Sequence, residues 1–122
     1  MTLQVIEGPT IAQGESLSDG VDLTAGPLVR ITMPPEWTPA NLTFELSSDG
    51  NFYNPLYDVH GKEITIVVVP GSAVRIPLEW STMIAFLKVR SGTIGHPVVQ
   101  QAARTFAVAV EAEEQAPLSA RR

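Results

Sequence analysis

The chain has 122 residues, enough for one domain, with 44% hydrophobic and only 17% charged residues, against roughly a quarter charged in a typical soluble domain. A net charge of −5 with no basic stripe argues against nucleic-acid binding, and the absence of cysteine excludes disulfides, thiolate metal sites and a cysteine nucleophile. No apolar run approaches the ~20 residues of a membrane helix, and MTLQVIEGPT lacks the basic and apolar segments of a signal peptide, so the expectation is a protein made in the cytoplasm and soluble or assembled there, with no membrane partner.

Ten prolines and nine glycines predict many turns and short strands. Residues 2–6 read as a short strand closed by Gly8-Pro9, with residues 10–12 as its extension. Residues 16–23 (SLSDGVDL) read as a strand interrupted by a bulge or turn at Gly20. Residues 28–33 (LVRITM) are a strand by β-branched content, ended by Pro34-Pro35. Residues 42–57 (LTFELSSDGNFYNPLY) carry the strongest signal. Leu42, Phe44 and Leu46 alternate with polar residues, and Asp49-Gly50 predicts a tight hairpin turn.

Residues 63–69 (EITIVVV) form the most β-prone run and predict a strand buried on both sides near its end. Residues 73–78 predict a short strand with Pro77 placing its end at an edge or bend. Residues 79–83 are open between a helical turn and a loop, and residues 98–103 between a short helix and a strand start. Residues 84–91 and 104–110 predict strands, the latter with Phe106, Val108 and Val110 on one face. Periodicity is lost over residues 111–122, which predicts a mobile C-terminal tail after a single domain over residues 1–110. About eight or nine short strands imply an all-β fold, an antiparallel β-sandwich of jelly-roll or immunoglobulin-like type.

Chemistry is sparse. His60 and His96 sit beside Gly or Pro in predicted loops, with no nucleophile elbow, so no catalytic residue is assigned and the chain is not read as an enzyme. Asp19, Asp22, Asp49 and Asp58 fall in turns and read as turn formers; calcium in these loops is the alternative, but no metal ligand or cofactor is assigned. Glu45 and Glu63 alternate with apolar neighbours and are expected to face solvent rather than act as a glycosidase pair. Trp37 and Trp80 are open between core lid and interface, whereas Phe52 and Tyr57 are expected in the core. Lys88 and Arg90 share one face of a strand and read as a solvated face or as an ion-paired contact with another subunit. The candidate partner contacts are Trp37, Asn51, Tyr53, Trp80, Lys88 and Arg90.

The combination of Trp37-Thr38, Leu42-Thr43-Phe44, Ser48-Asp49-Gly50, Tyr57-Asp58, the run from Leu87 to Thr93, Pro97-Val98, Gln101 and Arg104 resembles small proteins of tailed phages and prophages of alphaproteobacteria. The resemblance covers most of residues 10–110. It implies a virion structural protein, assembled in the host cytoplasm. Foremost is a capsid decoration or cement protein that binds the major capsid protein lattice or other virion subunits, as a homo-oligomer. A tail or adaptor component is a further role. The same hairpin and the Lys88 strand also look like galactose-binding or discoidin-type jelly rolls, which implies the alternative of a carbohydrate-binding module of a head or tail fibre with a host glycan as partner.

Overall fold

The computed structural model describes residues 2–81 and 84–112, the side chain of Trp80 excepted. The strands are β1 (Thr2–Ile11), β2 (Val21–Asp22), β3 (Leu28–Thr32), β4 (Leu42–Ser47), β5 (Asn54–Pro55), β6 (Ala73–Arg75), β7 (Phe86–Ser91) and β8 (Arg104–Ala112), with one helical turn, α1 (Leu78–Ser81). One sheet has the order β1-β8-β3-β6 and the other β2-β7-β4-β5. The pairing is nested and antiparallel: β4 with β5, then β3 with β6, β2 with β7, and β1 with β8. A two-armed ribbon paired this way and rolled into two sheets is a jelly roll, so the strand order decides between the two sandwich types. The hairpin at residues 42–57 is the tip of that ribbon.

Alternation explains the core. Phe106, Val108 and Val110 of β8 are fully buried and face Leu42 and Phe44 of β4 and Leu87 and Val89 of β7, all likewise fully buried. Trp37 closes one side of this core, edge-on to Phe106 at 5.5 Å and 65°, with its indole N–H donating to the Ala40 carbonyl at 3.0 Å. Gln100 is a fully buried polar residue between sheets and loops. Its amide nitrogen donates to the Thr38 carbonyl at 2.9 Å and to Ser91 Oγ at 2.7 Å, while its amide oxygen accepts from the Thr38 N–H at 2.9 Å and Arg104 Nε at 3.0 Å.

Several expectations are corrected. β1 does not end at Gly8-Pro9 but continues through that pair with a register irregularity between Glu7 and Thr10. Only Val21–Asp22 of residues 16–23 pairs as a strand, apart from a single bridge from Leu17 to Arg90. The Asp-Gly hairpin is not a tight turn, because β4 and β5 are joined by residues 48–53. Residues 63–69 are not a doubly buried strand. They form an extended strap held to Leu42 through Ile66 by reciprocal 2.9 Å bonds, with Ile64, Ile66 and Val68 packed on the core and Val67 75% exposed. Residues 98–103 form neither helix nor strand, since their buried anchor is the Gln100 side chain. The helical turn at residues 79–83 is realised at Leu78–Ser81; residues 82–83 lie outside the described residues. β8 runs two residues into the expected tail, and residues 113–122 lie outside the described residues.

Candidate functional site

The outer side of the second sheet divides into a closed half and an open half. Thr43, Glu45 and Ser47 of β4 stand opposite Arg90, Lys88 and Phe86 of β7 in register. Over the closed half, the strap after β5 brings Glu63 down onto Arg90. The Arg90 guanidinium pairs with Glu45 in a very short contact, with Glu63 at 3.4 Å, and with Thr43 Oγ1 at 3.3 Å. Glu63 also accepts from the Ile94 N–H through both oxygens at 3.2 Å. Arg90 is consequently 5% exposed. Its guanidinium is paired within the chain, and Glu45 and Glu63, expected to face solvent, are instead largely covered. The two acids neutralise a buried cation, and Glu63 is committed to a backbone amide as well.

The open half is built around the loop of residues 48–53. The Ser47 hydroxyl donates to Asp49 Oδ1 and accepts from the Asp49 and Gly50 amides, while Asp49 Oδ1 accepts from the Asn51 and Phe52 amides at 2.8 and 3.0 Å. Gly50 adopts a φ of 82°, which only glycine takes without strain. These bonds, the Phe52 amide foremost, hold the Asp49 carboxyl below its ordinary value of 3.8. The loop thus points Phe52 outward at 80% exposure, against the expectation of a core position. Tyr57, also expected in the core, is 46% exposed.

Tyr53 folds back over β7. Lys88 Nζ lies 4.4 Å from its ring centroid, in a cation–π contact. The Tyr53 hydroxyl sits where a side chain on Gly20 would be, so the absence of a Cβ there admits the ring. Burial, with the negative charges of Asp49 and Asp19, raises the Tyr53 phenol above its ordinary value of 10.0. Gly20, Val21, Asp22, Asn51, Phe86 and Lys88 frame a shallow cleft of about 440 Å³ beside the ring.

Asn51, Tyr53 and Lys88 are therefore brought together at one cleft, whereas Phe52, expected in the core, lines a separate depression with Leu46, Ser47, Asn54 and Pro55. Trp37 is buried to 7% exposure and packs in the core cluster; the Trp80 side chain lies outside the described residues. All four turn aspartates accept backbone hydrogen bonds: Asp19 from Thr10, Asp22 from Thr24, Asp49 as above, and Asp58 from His60 and Lys62. Among the described residues, no three His, Cys, Asp or Glu side chains gather as a metal would require. Comparison with protein-family models, curated proteins and solved structures returned no match.

Proposed function

We propose that the chain is a virion structural protein of the tailed-phage type, a capsid decoration or cement protein that docks on the major capsid lattice through its β4–β5 tip. The observation that carries the reading is Phe52, a large aromatic held 80% exposed on a loop pinned by five hydrogen bonds. With its loop backbone already ordered, an aromatic presented this way has only its side-chain rotamers left to fix on docking and gains a large burial term, the usual chemistry of an interface anchor. Ser48, Asp49 and Asn54, which line a depression with Phe52, supply polar groups for a rim. Jelly rolls serve both as virion and as lectin domains, so the fold is compatible with the role without specifying it.

The test is co-sedimentation of purified chain with phage particles that lack it. Wild type sediments with the particles, and Phe52→Asp does not while keeping its thermal unfolding midpoint. Equal sedimentation of the two proteins would reject the tip as the docking element.

The polar cleft beside Tyr53 favours a second reading, a glycan-binding module of a fibre. Saturable binding on a glycan array, lost in Tyr53→Ala, is its expected result; no binding removes it.

A further inference from the structure

The outer face of the first sheet carries a feature that the tip does not use. β3 contains a bulge: Leu28 stands opposite Val110 and Arg30 opposite Ala109, so Val29 is an extra residue. In an unbroken strand Leu28 and Arg30 would face the same way. The bulge lets both Leu28 and Ile31 enter the core and turns Arg30 outward. There Arg30 stands directly opposite Arg75 of the edge strand β6. Like charges so placed repel each other. Among the described residues neither guanidinium has an acidic partner, and the buried Arg30 Nε has no acceptor.

The surroundings are apolar. Leu3, Val29 and Ala73 form a depression of about 360 Å³ with the two arginines. Ala109, flanked in register by Val5 and Arg30, is fully buried next to it. Leu3 and Val5 are about half exposed. The shelf has an unmet need for an acceptor at one end and unburied aliphatic surface at the other.

We propose that this shelf binds a carboxylate-bearing segment of a partner protein, one carboxylate accepting from Arg30 and Arg75 while a neighbouring aliphatic side chain covers Leu3 and Val29. Two cations in a chain of net charge −5 do not make a polyanion groove, which argues for a peptide carboxylate over nucleic acid. The shelf lies on the sheet remote from Phe52, so the inference stands apart from the virion reading.

The experiment is an NMR titration of the full chain with a capped, alternating leucine–glutamate hexapeptide, and with its leucine–glutamine counterpart. The Arg30 Nε–Hε signal is expected to move saturably with the glutamate peptide only. Arg75→Ser should weaken binding about tenfold, the scale of one charged hydrogen bond. Its unfolding midpoint should stay level or rise as the repulsion is relieved, which separates lost binding from lost folding. Equal binding of the glutamine peptide, a stationary Arg30 signal, or tighter binding of inorganic phosphate or a short oligonucleotide than of the glutamate peptide would each overturn the proposal.

Discussion

Arg90 is charged, points to the outer side of its sheet, and is still 5% exposed because two carboxylates come to it. Removing it leaves both acids partly buried without a counter-charge. Arg90→Met should therefore cost about 3 kcal/mol in urea unfolding, and adding Glu45→Gln and Glu63→Gln should recover part of that loss. Gln100 presents the same logic without charge. Gln100→Ala strands the Thr38 amide and Ser91, at an expected cost of about 2 kcal/mol in the same measurement. Asp49 acts locally and through pH. Its folded carboxyl is depressed, so the loop's stabilisation is fully present above the ordinary value of 3.8 and is lost as pH falls through the lower folded value. Amide exchange of Asn51 and Phe52 should accelerate on acidification through that range, and Asp49→Ala should show the fast exchange at neutral pH.

The strands whose inward residues alternate strictly, β4, β7 and β8, were legible from the amino-acid order. Leu42 and Phe44, Leu87 and Val89, and Phe106, Val108 and Val110 are buried as that period demands. β3 kept its place but hid its bulge, since LVRIT looks regular until Leu28 and Ile31 are seen to face inward together. Residues 63–69 misled because β-branched content speaks of extended backbone, not of ladder partners. The strap bridges to β4 at Ile66 without forming a regular strand. Its facing can be tested by pairs of substitutions. Ile66→Lys should destabilise by about 2 kcal/mol, whereas Val67→Lys should stay within about 0.5 kcal/mol, as judged by denaturant midpoints. The candidate site was half legible. Asn51, Tyr53 and Lys88 converge, but nothing in local order tells a half-exposed strand cation such as Lys88 from a buried one such as Arg90. The difference lies in Glu63, 27 residues away.

For the whole molecule, the nested pairing makes the two ends of the ribbon neighbours, β1 beside β8, and sends the β4–β5 hairpin to its tip. The body is held by the core and by the Arg90 and Gln100 networks, which leaves the tip loop to be shaped by its own hydrogen bonds. That division lets Phe52 change without loss of the fold. The proposed docking on a repetitive lattice is tested most directly by the copy number of the chain in virions purified from cells that express it. Quantitative mass spectrometry against the major capsid protein should give a stoichiometry on the scale of the lattice itself; a few copies per particle, or none, would contradict it.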